Sequence, residues 1–125
     1  MNKLDASITQ FEKALARLKE AVSLPKSDIV RDSAIQRFEF TLDLAWKSLK
    51  AFIEDKKGVV CASPKDCFRE AYRQGIIQYS EKWLEFVDMR NETSHTYKEE
   101  IAERVYGNLS GTIEYFDGLL VAIKK

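Results

Sequence analysis

The sequence of 125 residues contains only two cysteines, two prolines and one histidine, and it has no long uninterrupted apolar run. Cys61 and Cys67 stand without a second pair, so neither a CxxC redox motif nor a four-ligand zinc site is available, and we predict two reduced thiols. No apolar run approaches the roughly 20 residues that span a bilayer, and the charged N-terminal stretch lacks the apolar core of a signal peptide. These absences predict a cytoplasmic protein.

The charges balance: 20 basic and 20 acidic side chains give a formal net charge of +0. This balance argues against an overall basic field that holds nucleic acid, although a local basic pocket remains compatible with phosphate binding. Hydrophobic residues make up 45% of the chain and charged residues 32%, as in globular proteins. At this length we expect residues 1–125 to form a single domain.

Helical periodicity dominates the first half of the chain. Apolar residues step by three and four from Leu4 to Val22, and again from Phe38 to Phe52. The pattern predicts a first helix and a long second helix of about 28 residues. Apolar residues outside the second stripe, among them Trp46, predict that this second helix is central and has neighbours on several sides.

Capping residues mark the later helices. Gly58 suits a left-handed helix end, and Ser63 before a proline suits the start of a short third helix. Ser80 is a candidate cap for a fourth helix, and Thr96 with Glu99 forms a Thr-x-x-Glu capping box for a fifth. Since no segment shows sustained period-two alternation, the sequence predicts an all-α fold, an antiparallel up-and-down four-helix bundle with an additional short helix.

The chemistry-bearing residues crowd the junction between the fourth and fifth helices. A histidine such as His95 can act as general acid or base near neutral pH, and Arg90 offers a guanidinium suited to phosphate oxygens. The same segment also contains the polar side chains of Asn91, Ser94, Thr96 and Tyr97. Of these, Ser94 and Thr96 are candidate contacts to RNA or a nucleotide. The alternative interpretation is an ordinary hydrogen-bonded helix end, in which His95 favours the negative end of the helix dipole.

Two other groups of residues are candidate ligand contacts. Lys65, Arg69 and Arg73 follow one another at four-residue steps on the third helix, which indicates either a basic ridge for RNA or nucleotide binding or a solvated helix face. Trp46 and Trp83 suit stacking on a base, but their apolar helical spacing favours the core.

Two carboxylates of the second helix, Glu39 and Asp43, lie one turn apart. Such a pair suits a cation, but Arg37, Lys47 and Lys50 on the same helix favour ordinary surface ion pairs. The sequence therefore predicts no metal site.

Three ordered blocks carry a family resemblance: residues 37–50, which read RFEFTLDLAWKSLK; residues 63–77, with SPK, REA and GII; and residues 83–97, with WLE and RNETSHTY. Their order and spacing resemble those of the nucleotidyltransferase substrate-binding proteins, a family of the HEPN superfamily. The resemblance implies that residues 1–125 are one HEPN-like helical domain that forms a homodimer. It also implies a partner, a minimal nucleotidyltransferase.

For the site, the resemblance implies that the Arg90 and His95 motifs of two chains meet in one cleft and support metal-independent RNA cleavage without a cofactor. In that chemistry His95 takes the proton of a ribose 2′-OH, Arg90 stabilises the transition state, and Asn91 orients the phosphate or holds Arg90. Tyr97 stands where the partner of such proteins adenylylates a tyrosine to silence the toxin. The alternatives are a non-catalytic subunit that presents a nucleotide or acceptor to the nucleotidyltransferase, and a plain structural bundle.

Overall fold

The computed structural model describes residues 2–124, and its regular elements are all helices. Their bounds in chain order are α1 Lys3–Ser23, α2 Asp28–Lys57, α3 Pro64–Arg73, α4 Lys82–Glu92, α5 Glu99–Leu109 and α6 Ile113–Lys124. Short 3₁₀ helices follow α4 at Thr93–His95 and α5 at Ser110–Thr112. The predicted all-α fold is confirmed. Among the helices of this part of the chain, none has both the length and the apolar composition that crossing a membrane requires.

Capping groups set the ends of the two long helices. Asn2 accepts a hydrogen bond from the backbone N–H of Asp5 at the start of α1, and Ser27 accepts one from Val30 at the start of α2. Gly58 ends α2 in the left-handed region with a φ of 68°, which a residue without a Cβ adopts at little cost. The predicted end of this helix at Gly58 is therefore confirmed, and the helix contains 30 residues.

The central helix is α2, as predicted, because it contacts α1, α3, α4, α5 and α6. At the middle of the core, Phe116 of α6 packs against Phe11 of α1 and Phe38 of α2, with ring centroids 6.0 and 6.2 Å apart. All three rings are fully buried. Burying a side chain of this kind stabilises the fold by about 1.5–3 kcal/mol. The aromatic centre thus holds α1 and α6 against the helix that positions the candidate site.

The tryptophans belong to the core rather than to a binding surface. Trp83 in the first turn of α4 is only 3% exposed and stacks on Phe68 of α3, with ring centroids 4.5 Å apart. Its edge also meets Phe86 and Tyr115. Trp46 is partly buried against the same core. The interpretation favoured by their apolar spacing is therefore confirmed, and Trp83 attaches α3 to α4.

The prediction that both cysteines are reduced thiols is wrong. Cys61 and Cys67 form a disulfide, with their Cα atoms 5.2 Å apart, a separation that a disulfide readily spans. Both side chains are buried. The linker after α2 turns back on α3 and brings the two sulfurs together. A search for paired motifs could not show this, because the bridge depends on the path of the linker.

Reducing this bridge should lower the free energy of unfolding by about 2 kcal/mol, the contribution expected for a short cross-linked loop. Urea unfolding with and without dithiothreitol measures the difference. The Cys61→Ala/Cys67→Ala double variant is the control, because reductant should not change its unfolding midpoint. Equal midpoints for oxidised and reduced wild-type protein would contradict the prediction.

The start of α5 differs from the predicted one. The capping box does not form: α5 begins at Glu99 after Lys98, and the Thr96 hydroxyl donates to the carbonyl of Thr93 at 3.0 Å. The physical reason is that α4 continues into a 3₁₀ turn. This turn leaves Thr96 at the end of the preceding helix rather than at the start of the next one.

Candidate functional site

The segment from Arg90 to Tyr97 forms the end of α4, the 3₁₀ turn and the first residues of the linker to α5. Arg90 is partly buried and faces α2. Asn91, Ser94 and His95 are exposed, and the Tyr97 side chain is 77% exposed. The structure therefore divides the segment into a fixed arginine and a set of accessible polar side chains.

Two carboxylates of α2 hold Arg90. Its Nε and Nη2 donate to the two carboxylate oxygens of Asp43, each at 3.0 Å. Its Nη1 lies 3.7 Å from Glu39 Oε2, which is too long for a hydrogen bond. The bonds to Asp43 raise the pKa of Arg90 further above neutrality, so the guanidinium keeps its charge. A two-bond pairing of this kind also fixes the orientation of the guanidinium plane.

A second contact joins the same two elements. Thr93 is buried, and its hydroxyl lies within hydrogen-bond reach of the Glu39 carboxylate and the Arg90 carbonyl. The prediction that Glu39 and Asp43 pair with cations of their own helix is wrong in its partner, because Asp43 pairs with Arg90, 47 positions away. The neighbouring Arg37 bonds to the end of α1 instead. Sequence spacing within one helix cannot show such a contact.

The start of α5, just after the segment, is also attached to α2, through a buried arginine that sequence analysis missed. Arg31 is only 5% exposed, and its Nη1 donates to Glu99 at 2.7 Å and to Glu103 at 3.1 Å, both on α5. The bond to Glu99 contributes most to raising the pKa of Arg31, and bonds from Lys26 and Arg31 lower the pKa of Glu103. The α2 residues that hold the segment stand at multiples of four: Arg31, Glu39 and Asp43. Of these, Glu39 and Asp43 are one turn apart on the same helix face, and this pair was the signal that the sequence offered.

His95 and Tyr97 lie side by side on the exposed part of the segment. Their rings stand edge to face with centroids 6.2 Å apart. Within residues 2–124 no hydrogen bond joins His95 to Arg90, whose guanidinium faces α2. Within one chain the histidine therefore lies beside the tyrosine, while the arginine is paired with Asp43.

The small hydroxyls of the segment bond to the helix end. The Ser94 hydroxyl donates to the carbonyl of Asn91 at 3.4 Å, and Thr96 bonds to the carbonyl of Thr93. These bonds match the interpretation of the segment as a hydrogen-bonded helix end. The same part of the chain, residues 2–124, has no group of three His, Cys, Asp or Glu side chains placed to hold a metal ion.

The basic ridge of α3 is exposed or half-buried, and all of its side chains have acidic neighbours. The ion pairs are Lys65 with Asp88 at 2.7 Å, Arg69 with Asp66 at 3.6 Å and Arg73 with Glu70 at 2.8 Å. The first of these pairs shows that α3 runs antiparallel to α4, because the start of α3 meets the later half of α4. The ridge therefore extends along α4 toward the end that carries Arg90.

Comparison with known proteins supports one family. The family model described as nucleotidyltransferase substrate binding protein like matches residues 6–125. A Haemophilus influenzae protein named probable ribonuclease HepT is 34% identical in an alignment of 118 residues that covers 87% of this chain and 81% of the relative.

Solved structures agree with this match. A crystal structure of a Thermus thermophilus protein superposes with a TM-score of 0.87 at 38% identity, covering 92% of this chain and 99% of that one. The structure of HI0074 from Haemophilus influenzae, which has the fold of a substrate binding domain of a nucleotidyltransferase, gives a TM-score of 0.71 at 30% identity. It covers 98% of this chain and 97% of that one. The chain therefore belongs to the nucleotidyltransferase substrate binding protein family.

Proposed function

We propose that this chain is a HEPN-type toxin, controlled by a minimal nucleotidyltransferase, and that its homodimer cleaves RNA in the cytoplasm without a metal ion. The observation that carries the proposal is the arrangement at the end of α4, where a charged arginine is fixed against α2 and an exposed histidine follows in the 3₁₀ turn. The relative named probable ribonuclease HepT supports the activity. The family description supports the partner.

The reaction is transesterification at an RNA phosphate. A nitrogen of His95 accepts the proton of a ribose 2′-OH, the 2′ oxygen attacks phosphorus, and the bond to the 5′ oxygen breaks. The leaving oxygen takes a proton from the second chain's His95, and the products are a 2′,3′-cyclic phosphate and a 5′-hydroxyl. A homodimer suits this scheme because the reaction needs one group to accept a proton and another to donate one, and two chains supply two copies of His95. Asn91, exposed beside Arg90, is placed to orient the phosphate.

Arg90 retains donors for a phosphate although Asp43 holds it. Asp43 accepts from Nε and Nη2, which form one edge of the guanidinium. Among residues 2–124, the acidic contact of Nη1, on the other edge, is the long 3.7 Å one to Glu39, and the Arg90 side chain is 30% exposed. The free edge can therefore donate to phosphate oxygens in the transition state while the paired edge fixes its direction. We propose Asp43 as a positioning residue for Arg90.

The test is RNA cleavage by the purified wild-type chain in excess EDTA. We expect cleavage to persist and the products to carry 2′,3′-cyclic phosphate ends, because histidine and arginine supply the proton transfer and the charge stabilisation. The same reaction with added magnesium is the control and should proceed at a similar rate. Cleavage that stops in EDTA, or intact RNA under both conditions, would contradict the proposal.

A second candidate function is a non-catalytic subunit that presents a nucleotide or acceptor to the nucleotidyltransferase. The observation that favours it is the charge around Arg90, because Asp43 and Glu39 set two negative charges beside one positive charge. Such a balance weakens attraction for a phosphate. This function predicts that the chain binds the nucleotidyltransferase but leaves RNA intact.

Control by the partner is proposed to act at Tyr97. Its exposed hydroxyl can attack the α-phosphorus of ATP, forming a tyrosine–AMP ester and releasing pyrophosphate. The adenylyl group then adds bulk and negative charge next to the His95 ring, which lies 6.2 Å from the tyrosine ring. Modification at this place would both block the cleft and repel an RNA phosphate.

Incubation with the nucleotidyltransferase and ATP should add the mass of an adenylyl group to wild-type protein and not to Tyr97→Phe. Phenylalanine keeps the ring and removes only the nucleophilic oxygen. Intact-mass spectrometry gives the readout, and Tyr106→Phe is the matched control that should still gain the group. A mass gain in Tyr97→Phe would assign the modification to another residue.

A further inference from the structure

Two exposed tyrosines form a pair near the start of α4, at the opposite end of that helix from Arg90. Tyr72, in the last turn of α3, is 50% exposed, and Tyr79, in the linker to α4, is 57% exposed. Their rings stand edge to face with centroids 5.0 Å apart, and the Tyr79 hydroxyl contacts the Glu81 carboxylate. The pair is therefore accessible to a ligand and is oriented by contacts within the chain.

Tyr79 lines two neighbouring clefts. A small one lies toward α3 and is also lined by Arg69. A larger cleft of about 450 Å³ lies toward α6 and reaches Gly118, where an added Cβ would meet nothing within 4 Å. Gln78 and Ser80 line both clefts and offer an amide and a hydroxyl. The larger cleft has the size of a small-ligand site, with room for a flat ring beside an aromatic wall.

Positive charge lies next to the tyrosine pair. Arg69 stands one turn before Tyr72 on the same face of α3, and Arg73 follows Tyr72 directly. Their side chains are 50% and 65% exposed. The ion pair of Arg69 with Asp66 is 3.6 Å long, beyond hydrogen-bond distance, so its donors remain available to a phosphate.

We propose that Tyr72 and Tyr79, with Arg69 and Arg73 beside them, form a stacking platform for the bases of single-stranded RNA. The proposal rests on RNA being the substrate of the chain. Every base has a flat π face, so tyrosine rings next to arginines bind single strands with little dependence on sequence. The sequence made Trp83 a candidate for base stacking, but its ring is buried, whereas the two tyrosines are exposed.

The position of the platform suits a strand that continues to the catalytic end. The ion pair of Lys65 with Asp88 places the basic ridge along α4, so the ridge leads from the platform toward Arg90. Along α4 the rise from Lys82 to Arg90 is about 12 Å. A strand whose bases stack at the platform therefore runs its phosphates past basic side chains before it reaches the proposed cleavage site.

The experiment measures RNA affinity in a parent protein that carries His95→Ala, so that the RNA stays intact. Fluorescence anisotropy with a short fluorescein-labelled single-stranded RNA gives Kd. We expect Tyr79→Ala in this parent to raise Kd about tenfold, the effect of losing one stacked base. Tyr79→Phe is the matched control and should keep the parental Kd, because it retains the ring. Arg69→Gln should reduce the dependence of log Kd on log salt by about one phosphate contact.

Several outcomes would overturn the platform. A parental Kd in Tyr79→Ala would do so while leaving the cleavage proposal intact. A parent that binds no RNA would overturn the platform and would also count against RNA as the substrate. If Tyr79→Ala instead loses binding to the nucleotidyltransferase and keeps its RNA affinity, the surface is a protein interface. Conversely, ring-dependent RNA affinity in a chain whose wild-type form cleaves no RNA would reject the ribonuclease and retain the platform.

Discussion

Replacing His95 with alanine should slow RNA cleavage by at least about 100-fold, because general acid–base catalysis by a positioned side chain contributes about 10²- to 10⁴-fold. In a homodimer the substitution removes both the proton acceptor and the proton donor. Growth arrest caused by expressing the chain alone should disappear with the activity. His95 is exposed, so the thermal unfolding midpoint should stay close to that of the wild type.

The matched control for this variant is Glu100→Gln, a change at an exposed residue in the first turn of α5. It should keep both the cleavage rate and the growth arrest. A wild-type rate in His95→Ala would reject the proposed mechanism. If neither the wild-type chain nor the variant arrests growth, the non-catalytic subunit becomes the better account.

Replacing Phe116 with alanine should lower the free energy of unfolding by about 3–5 kcal/mol, the range for removing a fully buried phenylalanine. Its ring is 0% exposed and contacts Phe11, Phe38 and Trp83, so the lost contacts reach three other helices. Truncation removes apolar burial and leaves a cavity that these aromatic neighbours fill only partly. Urea unfolding at equilibrium measures the loss.

Val121→Ala is the control for the core variant, since it lies in the same helix and its side chain is 61% exposed. Its free energy of unfolding should change by no more than about 0.5 kcal/mol. Similar losses for both variants would show that Phe116 is not at the centre of the core. At temperatures where Phe116→Ala stays folded, its cleavage rate should be that of the wild type, because Phe116 is buried in the core and His95 is exposed at the end of α4.

The helices could be predicted because their signals are local. Apolar spacing places α1 and α2 correctly, and Gly58 marks the end of α2 because only a residue without a Cβ adopts its backbone conformation easily. Where the signal is not local, sequence reasoning failed. The pairing of Cys61 with Cys67 depends on how the linker turns, and Thr96 fails as a cap because α4 continues as a 3₁₀ turn.

The candidate site shows the same division. The segment containing Arg90 and His95 stands out from residue type alone, because it holds the one histidine of the chain beside an arginine. The contacts that orient Arg90 do not stand out, since Asp43 lies on a different helix and reaches it only through the bundle. The exposure of Tyr72 and Tyr79 could not be predicted either, because the sequence around a tyrosine near apolar residues does not show whether its ring is buried or exposed.

The chain is attached to α2 on both sides of Tyr97, and this has a consequence for the proposed neutralisation. Tyr97 is presented to solvent between two anchored points, with Arg90 and Thr93 on one side and Glu99 on the other. A nucleotidyltransferase that binds this conformation of the chain would modify Tyr97 in folded chains and not in unfolded ones. Under the proposed function, the contacts that orient Arg90 for cleavage would then also be required for modification of Tyr97, so the partner enzyme would act on folded chains alone.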